Sequence, residues 1–168
     1  QDEFNQAIQK FSQAIVVNPN RYEAYSAIAD IYLKQKRYDL AIENYEKSIG
    51  INPAQRQTLL NLASAYSSKS DYPSAVLTYE KILRDDPVNF EANYNIAYTL
   101  FLNKDYPRAI QYYEQSLNII EKGKNQKEIA KVYYNLANVY KADNKPEQAV
   151  KAFKIAIKNN KAFPDAHY

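Results

Sequence analysis

Three asparagines, Asn61, Asn95 and Asn135, stand at equivalent places of a recurring pattern. Each amide offers a donor and an acceptor together, the complement of what an extended main chain presents. Residues that usually carry bond-making chemistry are scarce. The chain has no cysteine and His167 is its only histidine, so no thiol nucleophile and no His/Cys metal cluster can be assembled. Glycine occurs only at Gly50 and Gly123, which leaves no Gly-rich phosphate loop. The carboxylates are scattered over what read as helix surfaces, where a solvated charge is the default. His167 itself falls where a core-facing residue belongs, so packing is its expected role. No catalytic residue, metal ligand or cofactor is therefore expected, and the chemistry that remains is recognition.

The elements that must position those amides are set by a fixed stride. Tyr38, Tyr72 and Tyr106 are 34 residues apart, as are Ala7, Ala41, Ala75 and Ala109, and Phe11, Tyr45, Tyr79 and Tyr113. The same step links Ala29, Ala63 and Ala97, then Ile28, Leu62 and Ile96, while Pro19, Pro53 and Pro87 close successive copies. Large, small and breaker residues in fixed places mark a stacked repeat array. Within each copy the apolar residues fall at three-and-four spacing, which predicts two helices per unit. The expected pairs are 22–35 with 38–50, 56–69 with 72–84, 90–103 with 106–121, and 130–142 with 146–159. A lone helix over 2–17, striped by Phe4, Ala7, Ile8, Phe11, Ala14 and Ile15, precedes them, and another is begun at 163–168.

Asp71 and Asp105 are expected caps, with Pro73 and Pro107 in the first turn where a missing amide hydrogen costs nothing. The stride breaks once. Ala109 and its counterpart Ala149 are 40 apart, so six residues are inserted around Gly123–Lys127, and longer helices are expected on either side of a polar turn. The resulting division is a partial repeat over 1–21, repeats over 22–55, 56–89 and 90–123, an insert over 124–129, a repeat over 130–163 and the start of another at 164–168, all in one domain.

Composition agrees with a nearly all-helical, packed chain: 46% of the 168 residues are hydrophobic, and tyrosine supplies 17 of the aromatics. No apolar run reaches the roughly 18 residues that a membrane span needs. A chain without methionine that opens in mid-repeat is expected to be a segment of something longer. Lack of cysteine does not choose between compartments, so localisation stays open. The net charge of +3 is uneven: residues 1–120 carry −2 and residues 121–168 carry +5. That lysine-rich third could favour an acidic partner, or could be an ordinary solvated face, since Glu and Asp recur between the lysines. Nothing points to nucleic acid.

These residues give the chain its family likeness: it resembles tetratricopeptide repeat (TPR) proteins. Repeats starting at Tyr22, Arg56, Phe90 and Ala130 carry that family's large, Leu-like, small and Tyr positions in the first helix and its Ala, aromatic and Ala in the second. Departures are the small site, which is Ala29, Ala63, Ala97 and Ala137 where Gly is usual, together with Ile82, Glu121 and Lys161. Ala at the small site still allows close helix approach. The resemblance implies an all-α, right-handed superhelical solenoid of antiparallel helix pairs and a protein-interaction scaffold that is not an enzyme. The alternative it leaves is a targeting or assembly domain of a larger enzyme or transport complex.

In such arrays the first helices line a concave groove. The resemblance therefore makes Asn61, Asn95 and Asn135 candidates to pair with the main chain of an extended peptide or protein segment. Tyr94, Tyr98, Phe101 and Tyr134 become candidate aromatic anchors, with Lys131 and Asn138 on the same wall. The asparagines could instead be merely solvated, and the aromatics could pack on the neighbouring repeat. One TPR subtype clamps acidic chaperone tails between basic residues, but the flanking places here read Ser26 and Glu91, or Leu60 and Lys131, so the full clamp is absent. Apolar stripes at both ends of the array also predict end-to-end self-association at high concentration.

Overall fold

The computed structural model describes residues 2–120 and 125–160. Among them are nine helices and no strand: α1 (Asp2–Val17), α2 (Tyr22–Lys34), α3 (Tyr38–Ile51), α4 (Arg56–Ser68), α5 (Tyr72–Asp85), α6 (Phe90–Leu102), α7 (Tyr106–Ile120), α8 (Gln126–Ala142) and α9 (Pro146–Asn159). The chain is a helical-repeat solenoid built from antiparallel pairs, and it divides into two compact units, residues 1–82 and 83–168.

Each pair turns in the same way. The first helix ends on a residue in the left-handed region, Lys36 (φ 58°), Ser70 (68°), Lys104 (62°) or Asn144 (55°). The next amide then bonds back five residues, as Arg37 N–H does to the Tyr32 carbonyl at 2.9 Å and Lys145 N–H to Tyr140 at 2.8 Å. This closure satisfies carbonyls that a helix end would otherwise leave bare. Glycine is the usual occupant of that conformation, and none of the four copies has it.

In the first unit, Ala29, Ala41, Ile42, Tyr45, Leu62 and Ala65 form a buried cluster, with Tyr32, Leu33, Ile49 and Tyr66 packed against it. The second unit has Ala137, Ala149, Ala152 and Phe153 at such a centre, flanked by Tyr133, Tyr134, Tyr140 and Ile157. Ala29, Ala63, Ala97 and Ala137 are all fully buried, which is what close backbone approach at the small site demands. The α1 helix differs, because none of its residues is buried. Phe4 is exposed where the stripe expected it to be half-buried, and Val16 and Val17 are more than four-fifths exposed.

Two start signals act as expected: Asp71 Oδ1 accepts from Ser74 N–H at 3.3 Å and Asp105 Oδ1 from Arg108 N–H at 3.4 Å. Two others escaped the reading of the sequence. Asn89 caps α6 through Ala92 N–H at 2.9 Å, and Asn125 caps α8 through Glu128 N–H at 3.3 Å. The second cap starts α8 four residues before the expected Ala130, so most of the insert is helix rather than turn. The signal was legible: Asn125 followed three residues later by Glu128 is the pattern of a reciprocal cap. The expected helix at 163–168, His167, Glu121, Lys161 and Gly123 lie outside the described residues.

Candidate functional site

The candidate residues fall on first helices of the pairs: Asn61 on α4 in the first unit, Tyr94, Asn95, Tyr98 and Phe101 on α6, and Lys131, Tyr134, Asn135 and Asn138 on α8 in the second. In the first unit the polar centre is Asp30 on α2. Its carboxylate accepts from the hydroxyl of fully buried Tyr45 on α3 at 2.5 Å and from the Asn61 amide at 3.0 Å. Asn61 Oδ1 in turn accepts from Gln57 Nε2 at 3.0 Å. Asn61 is therefore engaged at both ends of its amide, with one hydrogen and one lone pair to spare. Burial first, and the Asp30 carboxylate second, push the Tyr45 hydroxyl far above the ordinary phenol range.

The second unit is built differently. The Asn135 amide donates across from α8 to the Tyr94 hydroxyl on α6. The Tyr94 ring meets the edge of Tyr113 on α7 at 5.7 Å and lies 5.9 Å from Phe90. Lys131 Nζ sits 4.4 Å from the centroid of that ring, a cation on a π face, and forms no ion pair among the described residues. Burial raises Tyr94 to about 12, with the Asn135 amide pulling the other way. Tyr113 is fully buried, and burial pushes its hydroxyl up too. Asn135 is near enough to oppose that rise slightly, yet the Tyr113 hydroxyl has no partner in hydrogen-bonding geometry among the described residues.

The other candidates divide into two groups. Tyr134 stacks edge-on against Phe153 at 5.7 Å and belongs to the second unit's core, and Phe101 packs on Tyr106 of its own helix pair at 6.2 Å. Both rings are half-buried and pack within their own helix pair, whereas the alternative read from the sequence was packing on the neighbouring repeat. Tyr98 is 44% exposed, and Asn95 and Asn138 are half-buried with no side-chain hydrogen bond among the described residues. The structure thus brings Tyr94, Lys131 and Asn135 together and leaves Asn95, Tyr98 and Asn138 available. Tyr113 was read from the sequence as a framework aromatic, and nothing in its spacing flags an unpaired hydroxyl. A cavity of about 380 Å³, lined in part by Leu83, Val88, Asn93 and Tyr112, shares none of these residues.

No group of His, Cys, Asp and Glu among the described residues could hold a metal ion, and no helix of the described residues is long and apolar enough to cross a membrane.

A family model described as "Tetratricopeptide repeat" matches residues 20–86 and 89–162. No curated protein sequence matches the chain. Among solved structures, MamA superposes with a TM-score of 0.83 at 20% identity, covering 95% of this chain and 90% of that one. MamA 41-end from Desulfovibrio magneticus RS-1 gives 0.84 at 11% identity, covering 96% and 88%. YrrB, described as a TPR protein with an unusual peptide-binding site, gives 0.79 at 15% identity over 96% of this chain and 80% of its own. At these identities the likeness is one of fold.

Proposed function

This chain belongs to the tetratricopeptide repeat family, and we propose that it is a non-catalytic interaction scaffold that binds an extended protein segment along its first helices. The observation that carries this reading is the second unit's α6–α8 face. Tyr98 stands 44% exposed on α6, which also carries half-buried Asn95, and α8 carries half-buried Asn138; neither amide has a side-chain hydrogen bond among the described residues, and the same two helices hold the Tyr94–Asn135 pair and the Lys131 ammonium. A half-buried amide without a partner favours a ligand that supplies one, and an exposed aromatic ring supplies apolar area at low entropic cost. The fold likeness to YrrB, a protein described as having a peptide-binding site, is consistent with a segment lying there. Asn61 contributes less in this reading, because its amide already serves Asp30 and Gln57.

The chain immobilised as bait should retain a partner from lysate of its source cell. Titration of that partner should weaken about 10-fold or more with Tyr98→Ala, and less with Asn95→Ala, by the usual weight of an aromatic hot spot over one hydrogen bond. Lys81→Ala, on exposed α5 surface of the first unit, should bind as wild type. Unchanged affinity in both α6 variants would place binding elsewhere. End-to-end association between copies is a second contact, supported by the exposed Val16 and Val17 on α1. Light scattering across a concentration series should show growth that Val16→Lys suppresses, and a strict monomer throughout would refute it.

A further inference from the structure

The polar centre of the first unit has a counterpart in the second from which one member is missing. Moving two repeats along carries Tyr45 to Tyr113 and Asp30 to Tyr98, and with the six-residue insert it carries Asn61 to Asn135. Both donors of the first unit are kept and the acceptor is lost. Among the described residues the Tyr113 hydroxyl, fully buried, has no partner in hydrogen-bonding geometry, and Asn135 gives one hydrogen to the Tyr94 hydroxyl. Lys131 adds a cation 4.4 Å from the Tyr94 ring with no carboxylate paired to it among those residues. The cluster is rich in donors, positive and short of acceptors. An unmade hydrogen bond on a buried donor is expensive, which favours whatever supplies the acceptor.

We propose that this α6–α8 cluster binds the side-chain carboxylate of an Asp or Glu in the bound segment, in the place that Asp30 occupies in the first unit. The proposal deepens the groove reading and rests on it. A carboxylate is the chemistry indicated for two reasons: it is what the first unit uses against the same two donors, and its negative charge matches the Lys131 ammonium. Hydroxyl and amide protons with a single cation hold it, not a pair of basic side chains. Tyr98 covers the place of Asp30, and its exposure lets the ring swing toward solvent to admit the acid. The net charge of +5 over residues 121–168 draws an acidic segment to the same part of the chain.

The test uses the whole chain with ring-labelled tyrosine, titrated with N-acetyl-glutamate N-methylamide and, separately, with its glutamine analogue, and followed by tyrosine resonances. The acid should shift Tyr94, Tyr98 and Tyr113 saturably and bind about 10-fold more tightly than the amide, as expected for a charge-assisted hydrogen bond. Tyr113→Phe, which removes an unpaired group and so should fold, should weaken the acid about 10-fold and leave the amide unchanged. Tyr98→Asp, which supplies the carboxylate within the chain, should abolish binding of the acid. Equal binding of acid and amide, an unaltered titration in Tyr113→Phe, or no shift with the acid would overturn the proposal. A neutral extended peptide, N-acetyl-Ala-Phe-Ala-Ala N-methylamide, separates the two levels. If it shifts Tyr98 while the acid fails, the groove reading stands and the carboxylate site falls; if neither binds, both fall.

Discussion

Asp30 and Tyr98 hold corresponding places two repeats apart, yet one closes a polar network and the other leaves it open. Around Asp30 the donors of Tyr45 and Asn61 converge on one carboxylate, so the first unit's centre is complete in itself. Around Tyr98 the corresponding donors of Tyr113 and Asn135 remain, with a second hydroxyl from Tyr94 and a cation from Lys131. The helices, the buried alanines and the left-handed turns are alike in the two units, so the difference lies in a few side chains laid on one framework. A satisfied buried network stabilises and fixes a unit, whereas an unsatisfied one at a surface is a place for a ligand.

The largest expected effect is on the first unit. Asp30→Ala strands the Tyr45 hydroxyl and the Asn61 amide and should cost about 3 kcal/mol in urea unfolding, since bonds to a charged acceptor contribute roughly 1.5–3 kcal/mol each. Tyr98→Ala, at the corresponding place, should cost under about 1 kcal/mol, because it breaks no side-chain hydrogen bond among the described residues and the ring is already 44% exposed. Equal losses would erase the contrast.

Hydroxyl deletions sharpen it further. Tyr45→Phe should lose about 2 kcal/mol, while Tyr113→Phe should be neutral or stabilising by about 1 kcal/mol, because only the first hydroxyl has a partner among the described residues.

Alkaline titration separates causes of the same sign. Tyr45, Tyr94 and Tyr113 all have hydroxyls raised above 10.0 in the folded chain, so their neutral forms favour folding. That stability is complete below the unfolded value near pH 10 and is lost as pH rises through the folded values, Tyr94 reaching about 12. Spectrophotometric titration should show Asp30→Asn bringing Tyr45 downward and leaving Tyr113 in place, because a carboxylate contributes to the first shift and not to the second.

The smallest effect should be common to both units. Lys36→Gly in the first and Lys104→Gly in the second should each stabilise by about 0.5–1 kcal/mol, the cost of holding a side chain at positive φ. Unequal gains would mean that the turns differ after all.

Repetition made the framework easy to read. A 34-residue stride fixes which residues are large, small or breakers, and helix packing follows from those sizes with little need for detail. Every repeat's alanine at the small site is buried as its type implies, and helix ends fall within a residue or two of the turn signals except at α8. That exception arose because the insert was weighed by its polarity and its glycine, while the Asn125 cap was overlooked. The left-handed turns at Lys36, Ser70 and Lys104 gave no sign, since Lys and Ser are not what that conformation usually selects, whereas Asn144 is of a type that it favours.

The candidate site was legible as a set of positions but not as a network. Equivalent asparagines look alike in sequence, yet Asn61 is committed to Asp30 and Gln57, Asn135 to Tyr94, and Asn95 makes no side-chain bond among the described residues. The difference depends on which side chain faces each amide from the preceding repeat, and a stride sets that geometry without naming its chemistry. Tyr134 and Phe101 likewise carry the residue type of an anchor while being half-buried, with their rings against Phe153 and Tyr106.

The most direct measurement is the hydroxyl-proton resonance of Tyr45 and of Tyr113 in the unliganded, ring-labelled chain. Tyr45 should lie far downfield, as a phenol bonded to a carboxylate does, and should move upfield in Asp30→Asn. Tyr113 should lie upfield of it, unaffected by that substitution, and should move downfield in Tyr98→Asp. A Tyr113 proton already as far downfield as that of Tyr45 in the wild-type chain would show that its acceptor is present within the protein, and would contradict the open network on which the account rests.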